Sequence, residues 1–448
     1  MAKFEIHARA PNGSATVLHY DNQASTLTWA NGTDVMTTQP VQRGQAAAVC
    51  IDQPGLKAGI KTLKVSLGLS CNYECSYCSQ RFVPHAEATN AQDIEPFIAQ
   101  LTHSFKEPPQ IIEFWGGEPL VYWKTLKPLA ERLRQHYPNA RFSIITNGSL
   151  LDTEKNEWLD RMGFDVGLSH DGPGYHARGV DPLQDPQKRQ AIMDLYALLQ
   201  PKGRISINTM MHSANLSRAH VQAWLQEQFG KDVQIGEGAF IDPYDAGGLA
   251  ATMQTPGEHI AYRTTAFKEL RLGLASQFHI AASKVSDFAN SIATARQASS
   301  LGQKCGMDRP ENLAVDLLGN VITCQNVSAA ATAPNGQPHA IGHLNDLPGV
   351  KLRTSTHWSN RKDCADCPVL QLCKGGCMFL EGDLWDADCD AAYSDNVPFF
   401  AAAIEFLTGC VPIYIDGDFR DDRKDIFGLV NGVPDAKPKR VIPINAIA

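Results

Sequence analysis

Apolar and polar positions alternate in short bursts through the first sixty residues, in KFEIHAR, ATVLHYD and TLTWANG, which are set apart by Asn, Gly and Asp turn signals. A period of two marks half-buried strands, so residues 1–62 predict a small β-rich extension. From residue 63 the pattern changes. The short apolar runs LKVSLGLS, IIEFWGG, RFSIITNG, DVGLSHDG, RISINTMM and VQIGEGAFI alternate with amphipathic stretches near 92–105, 124–137, 153–162, 187–200 and 215–229. Six strand-helix alternations predict an α/β fold over residues 63–285. Its parallel sheet has right-handed crossovers and is either doubly wound or curled into an incomplete barrel. Several runs stop in polar or Gly-rich residues: Gly116-Gly117-Glu118, Thr146-Asn147-Gly148 and Ser169-His170-Asp171-Gly172. Active sites of parallel sheets are built at such carboxyl ends.

Cysteine usage sets the next boundary. None lies between Cys78 and Cys305, and seven follow by Cys389, which defines a cysteine-rich segment over residues 286–395. Residues 396–448 open with an apolar helix and end in KPKRVIPINAIA, whose basic cluster reads as solvated surface. The apolar stretch 399–415 contains Glu405, Gly409 and Pro412 and is too short and interrupted to span a bilayer. The N-terminus, MAKFEIHARAPNG, lacks the basic-then-apolar run of a signal peptide, so a cytoplasmic address is expected. Thiols stay reduced there, and the twelve cysteines are read as metal ligands rather than disulfides. With 40 basic against 48 acidic side chains, a net charge of −8 and no Lys/Arg block, neither nucleic acid nor an anionic membrane is an expected partner. The 43% apolar and 20% charged content excludes wholesale disorder.

Cys71, Cys75 and Cys78 follow the first predicted strand in a C-x3-C-x2-C loop. Three thiolates this close can hold three irons of a cubane and leave the fourth open to a substrate; a zinc knuckle one ligand short, or unligated thiols, are the alternatives. Cys50, alone in AAAVCID, reads as a buried structural thiol. The later pattern is Cys305-x13-Gly319-x4-Cys324, then Cys364-x2-Cys367-x5-Cys373-x3-Cys377, then Cys389. Clusters or a pair of zinc ribbons would both use such spacing.

The first loop, with Tyr77 just before its last cysteine and Trp115-Gly116-Gly117-Glu118-Pro119 after the second strand, resembles the radical S-adenosylmethionine (SAM) superfamily. The second pattern is similar to that of the SPASM domain, and together the two cover roughly residues 63–395. The resemblance implies a partial (β/α)6 radical SAM barrel with a C-terminal cysteine-rich SPASM domain, beside the small N-terminal β-rich extension. It implies SAM and a [4Fe-4S] cluster on Cys71, Cys75 and Cys78, with Gly116, Gly117 and Glu118 meeting the amino group of SAM. Tyr77 is expected by the adenine, and Ser169 and Asn208 at the ribose or carboxylate. Two auxiliary clusters are implied, one on Cys364, Cys367, Cys373 and Cys389, the other on Cys305, Cys324 and Cys377, which makes three [4Fe-4S] clusters in all. The second auxiliary set has three cysteines because Ser299 stands where sulfatase-maturing relatives carry another. This leaves an open iron able to bind substrate or a non-cysteine ligand, unless Cys50 or Cys410 is recruited.

The implied reaction is oxidative: a carbon-carbon or thioether crosslink in the side chains of a ribosomally made precursor peptide. A sulfatase-type maturase forming formylglycine, and a non-catalytic iron-sulfur regulatory protein, are the alternatives. Loops 171–189 and 242–259 are expected to shape the pocket. Within them Asp171 or Asp242 is a candidate acid-base residue, with Tyr175 or Tyr244 near it, although an Asp before Gly or Pro also serves turns. The expected partners are the precursor peptide and a flavodoxin or ferredoxin as reductant. The first 60 residues are short for a winged-helix recognition domain, so leader recognition is expected to be minimal or supplied by a separate protein.

Overall fold

Strand β1 (Lys3–Arg9) buries Phe4, Ile6 and Ala8 on one face, as its alternation requires. It pairs antiparallel with β2 (Ala15–Asp21), and β2 with β3 (Thr26–Trp29). On its other edge β1 takes up β14 (Val411–Asp416), so the first and last of the described strands share one four-stranded sheet in the order β14-β1-β2-β3. Phe4, Ile6, Leu18 and Tyr20 of that sheet share a core with Val397, Phe400 and Ile404 of the long helix α10 (Gly382–Thr408). Helix α10 runs through position 395, where the sequence places a boundary. These features belong to a computed structural model that describes residues 3–86, 89–354 and 356–430. Two-residue strands β4 (Gly55–Leu56) and β13 (Lys351–Leu352) pair with each other and tie the linker after the first sheet to the cysteine-rich segment.

The second sheet holds the functional face. Strands β5 (Thr62–Ser66), β6 (Ile111–Trp115), β7 (Arg141–Thr146), β8 (Phe164–Ser169) and β9 (Ile205–Asn208) run parallel in that order. Helices α1 (Ile94–Ser104), α2 (Trp123–His136), α3 (Thr153–Arg161) and α4 (Pro186–Leu199) form the crossovers, and α5 (Arg218–Phe229) follows β9. Asp152, Asp185 and Ser217 cap α3, α4 and α5 by accepting from first-turn amides, which fixes where each helix starts. Leu63, Val65, Ile112, Phe114, Phe142 and Ile144 alternate toward the helices and share a core with Leu101, Leu129, Leu133 and Trp158. The opposite faces of these strands present Lys64, Glu113, Ser143, Asp165, Gly167 and Ser206, which line a cavity of about 660 Å³. A closed barrel fills this space with bulky branched side chains; small and polar ones leave it open here.

The expectation of six barrel strands requires a correction. VQIGEGAFI forms no strand and makes only isolated parallel bridges, Ile207 with Ile235, Met211 with Phe240 and Ile235 with Phe278. The Gly-Glu-Gly interruption is the cause: Gly238 has φ +145°, and a Cβ at Gly236 would fall 2.6 Å from Asn208 Oδ1. The sheet is instead extended at its other edge. Strand β10 (Asn312–Asp316), from the cysteine-rich segment, lies parallel to β5, and β11 (Asn320–Ile322) and β12 (Ala340–His343) continue it antiparallel. The short helix α6 (Ala246–Ala250) and the longer α7 (Pro256–Arg271) and α8 (His279–Ala293) lead into the cysteine-rich segment, where α9 (Leu370–Cys373) carries Cys373 at its end. Among the described residues no helix is long and apolar enough to cross a membrane.

Candidate active site

The loop after β5 is stitched to the turn after β6 by backbone bonds. Gly117 N donates to the Gly68 carbonyl at 3.0 Å, and Glu118 N to that of Ser70 at 3.0 Å. This close approach requires glycine: a Cβ at Gly117 would stand 2.5 Å from the Ser70 carbonyl oxygen and against that of Leu69. Cys71, Cys75 and Cys78, which follow directly, line a cavity of about 420 Å³ together with Gly116, Gly117 and Glu118. Burial pushes the Cys75 thiol up to about 11 and raises that of Cys71. A thiolate at neutral pH in this place therefore needs a metal to hold it, and three sulfurs facing one cavity fit that demand.

Glu118 is 1% exposed and ends the turn as a helix cap. Its Oε1 accepts from Leu120 N at 3.0 Å and from Thr146 Oγ1 at 2.7 Å, and its Oε2 from Asn147 N at 2.7 Å. A carboxylate offers about four lone-pair sites, so one remains on Oε2, beside the cavity. Burial raises the Glu118 carboxyl above its ordinary range while those three donors pull it back. A cationic group is what such a site lacks. Asn147 also reaches across to Asn72 at 3.0 Å, tying the end of β7 to the cysteine loop.

The segment after β8 closes over the same loop. Asp171 is fully buried and accepts from Tyr77 Oη and, at 3.1 Å, from Met210 N. Arg178 Nη1 lies 3.7 Å from Asp171 and donates to Tyr77 Oη at 3.1 Å, while His212 stacks on the Tyr77 ring with centroids 5.5 Å apart. Burial would raise the Asp171 carboxyl, but Arg178, His212 and Tyr77 hold it below the usual carboxylate range. Ser169 lines the cysteine cavity. Asn208 lines the larger cavity beside it, and Trp115, Ile145 and Glu237 border both. Tyr175 bonds Gln184 at 2.9 Å and is not among the residues facing the cysteine cavity.

Asp242 and Tyr244 face the cysteine cavity from loop 242–259. Lys304 Nζ, on the same wall, sits 2.9 Å from Asp242 Oδ1. Asp388, 1% exposed, is held well above the carboxylate range by burial and by the charge of Asp242. Lys304, Arg178, His212 and Asp388 carried no motif in the sequence. Lys304 adjoins Cys305 and Arg178 falls inside a loop expected to shape the pocket, which is as far as that signal reached.

The later cysteines fall into two groups. Cys305, Cys324 and Cys377 act on one another electrostatically, and Tyr244 shares a hydrogen bond with Cys377. Cys364, Cys367, Cys373 and Cys389 surround a small cavity of their own. Burial raises all seven thiols, Cys324, Cys367 and Cys377 to about 12. Gly319 has φ +91°, and a Cβ there would meet His343 Nε2 at 2.7 Å, so the turn before Cys324 admits only glycine. Ser299 is exposed and its carbonyl accepts from Ala46 N. Cys410 is buried at the end of α10 with its thiol toward the Thr408 carbonyl, and Cys50 is half-buried in the linker. None of the twelve cysteines is in a disulfide. Among the described residues no three of His, Cys, Asp and Glu stand close enough to hold one ion; ligands of a cubane sit on different irons and so stand farther apart.

Residues 65–214 match the family described as the radical SAM superfamily. The radical SAM cyclopropyl synthase TigE of Paramaledivibacter caminithermalis is 23% identical over 364 residues, which are 71% of this chain and 68% of that enzyme. The serine-type anaerobic sulfatase-maturating enzyme of Bacteroides thetaiotaomicron is 25% identical over 167 residues, 35% of this chain and 36% of its own. Among solved structures, native anSMEcpe with bound AdoMet and Cp18Cys peptide has a TM-score of 0.55 at 19% identity, covering 78% of this chain and 99% of that one; the likeness is one of fold. The cysteine loop, the glycine-glutamate turn stitched to it and the parallel strands that carry both are thus a radical SAM domain, homologous to those of TigE and of the sulfatase-maturating enzyme.

Proposed function

We propose that this chain oxidatively modifies side chains of a ribosomally made peptide, by hydrogen abstraction from carbon. The observation that carries the reading is the shared wall of the cysteine cavity. Cys71, Cys75, Cys78 and Glu118 form one side, and Lys304 and Asn326 from the cysteine-rich segment form another. Cys305 borders the adjoining 660 Å³ space, which meets the first cavity at Trp115, Ile145 and Glu237. A side chain lying there is within reach of both cysteine systems. That the relatives include a sulfatase-maturating enzyme supports a peptide or protein substrate.

In this reading Cys71, Cys75 and Cys78 hold a [4Fe-4S] cluster and two further clusters sit on Cys364, Cys367, Cys373, Cys389 and on Cys305, Cys324, Cys377. When bound and reduced, the first cluster with SAM supplies a 5′-deoxyadenosyl radical. The chain does the rest. The free lone pair of Glu118 Oε2 receives the ammonium of SAM, and Gly117 admits it to the backbone. Asp171, with its carboxylate engaged by Tyr77, Met210 and Arg178, positions Tyr77 at the cavity wall and does not exchange a substrate proton. Asp242 is the better placed proton acceptor, since it faces the cavity, with Lys304 Nζ 2.9 and 3.3 Å from its two carboxylate oxygens to balance charge. A flavodoxin or ferredoxin is the reductant.

The test is anaerobic reconstitution, with iron and sulfide counted per chain, followed by SAM and dithionite. About twelve irons and release of 5′-deoxyadenosine are expected, and with a precursor peptide encoded beside this chain a mass loss in multiples of two hydrogens. Bound zinc with no cleavage of SAM overturns the reading. A new aldehyde on a sulfatase peptide would replace the crosslinking substrate with a sulfatase.

A further inference from the structure

The segment beyond β14 has no part in the reaction described so far, yet it returns to the cysteine-rich core. In the single turn Asp421–Arg423, Arg423 is 3% exposed. Its Nη2 lies 3.3 Å from Cys389 Sγ and 2.6 Å from Asp390 Oδ1. The guanidinium carbon stands 4.8 Å from the centroid of the Tyr393 ring, and the Tyr393 hydroxyl donates to the Arg423 carbonyl at 2.7 Å. Arg423 is therefore held both at its guanidinium and at its backbone. It lines the small cavity enclosed by Cys364, Cys367, Cys373 and Cys389, and among the described residues that line it Arg423 is the one cation.

We propose that Arg423 is a positioning residue for the auxiliary cluster on these four cysteines, and that its N–H···S bond and buried charge raise the reduction potential of that cluster. The proposal rests on the assignment of Cys389 as a ligand made above. One electron added by an external reductant makes the cluster and its sulfurs more negative. A donor aimed at a ligand sulfur and a cation in a dry wall both stabilise that state over the oxidised one. Asp390 offsets part of the charge, but its side chain is 36% exposed and is screened by water, whereas the side of Arg423 toward Cys389 is not. The consequence is an auxiliary cluster suited to accept the electron that an oxidised substrate leaves behind.

The test is an anaerobic redox titration of the full-length, cluster-loaded protein, followed by electron paramagnetic resonance, on wild type, Arg423→Gln and Arg423→Lys. In Arg423→Gln one auxiliary signal is expected to need a potential lower by about 59 mV or more, a tenfold change in its reduced-to-oxidised ratio. Arg423→Lys keeps the charge and is expected to recover at least half of that change. A Gln variant with wild-type iron and unchanged potentials overturns the proposal. Should the Gln variant lose iron, the wild type decides. With ¹⁵N-arginine incorporated, pulsed resonance of the reduced auxiliary cluster is expected to show a nitrogen coupling that Arg423→Lys lacks, and its absence in the wild type overturns the proposal. Wild-type iron near four per chain would instead remove the auxiliary-cluster assignment itself, an outcome distinct from normal iron with no shift.

Discussion

The phenol of Tyr77 donates to the buried carboxylate of Asp171, 94 residues further along the chain, and Arg178 bridges the two. One element of this contact belongs to the cysteine loop and the other to the segment after β8, so the pair fixes one wall of the cavity across the sheet. Asp171→Asn keeps the shape but removes the charge that Arg178 and His212 face. A charge-assisted hydrogen bond contributes about 1.5–3 kcal/mol, so SAM cleavage in the absence of peptide is expected to fall about 10- to 100-fold with iron content unchanged. The assay is 5′-deoxyadenosine formed per minute. If cleavage holds and only peptide modification is lost, Asp171 is the acid-base residue and Asp242 is not.

Gly117→Ala tests the close approach of the two loops. The added methyl meets the backbone oxygens of Leu69 and Ser70, which cannot rotate away as a side chain would. The bonds of Gly117 N to Gly68 and of Glu118 N to Ser70 must then lengthen or break. The variant is expected to keep the cysteine-rich clusters while its SAM-responsive resonance signal disappears. An unaltered signal on adding SAM would show that this approach is not needed.

How far the sequence went is decided by how local each signal is. The helices α3, α4 and α5 lie where the amphipathic stretches 153–162, 187–200 and 215–229 put them, because helical periodicity is a local signal; the caps Asp152, Asp185 and Ser217 that fix their first turns are no part of that signal. Cysteine spacing brought Cys71, Cys75 and Cys78 to one cavity, and Gly319 stood where only glycine fits. The sixth run misled because Val233, Ile235 and Phe240 are buried as strand residues would be, while Gly236 and Gly238 break the ladder between them. Pairing of β1 with β14 and the placing of Arg423 on Cys389 join residues hundreds or tens of positions apart, and no periodicity encodes either partner.

Glu118→Gln isolates the ammonium site. Glutamine retains one acceptor oxygen but sets an N–H₂ against either Asn147 N or the donors at Leu120 and Thr146. Affinity for SAM, measured by anaerobic calorimetry, is expected to fall at least tenfold. The direction with pH follows from the raised Glu118 carboxyl: a cation binds the ionised form, so wild-type affinity weakens as pH falls through the raised value. Glu118→Gln has no such dependence, and a slope that persisted in it would place the titrating group elsewhere.

One buried carboxylate ties the barrel helices to α10. Asp395 is 3% exposed and accepts from Arg218 Nη2 at 2.5 Å, Tyr262 Oη at 2.7 Å and Lys284 Nζ at 3.0 Å. These partners lie on α5, α7 and α8, and Asp395 lies on α10 six positions beyond Cys389. Arg218 also donates twice to the Gly238 carbonyl, at 3.0 and 2.7 Å, so the interrupted sixth run hangs on the same group. Burial alone would raise the Asp395 carboxyl, but Lys284, Arg218 and the Tyr262 hydrogen bond hold it well below the usual range. A depressed carboxylate contributes stability that is complete above its unfolded value, about 3.9, and is lost as pH falls toward the folded one. Wild-type stability to urea is therefore expected to decline between about pH 5 and pH 3, in part through this group. Asp395→Asn leaves Arg218 and Lys284 buried without a counter-charge and is expected to cost about 3–5 kcal/mol at pH 7. Below pH 4 the gap between variant and wild type should narrow. A gap that stayed constant over that range would mean that packing, not the ion network, holds α10 in place.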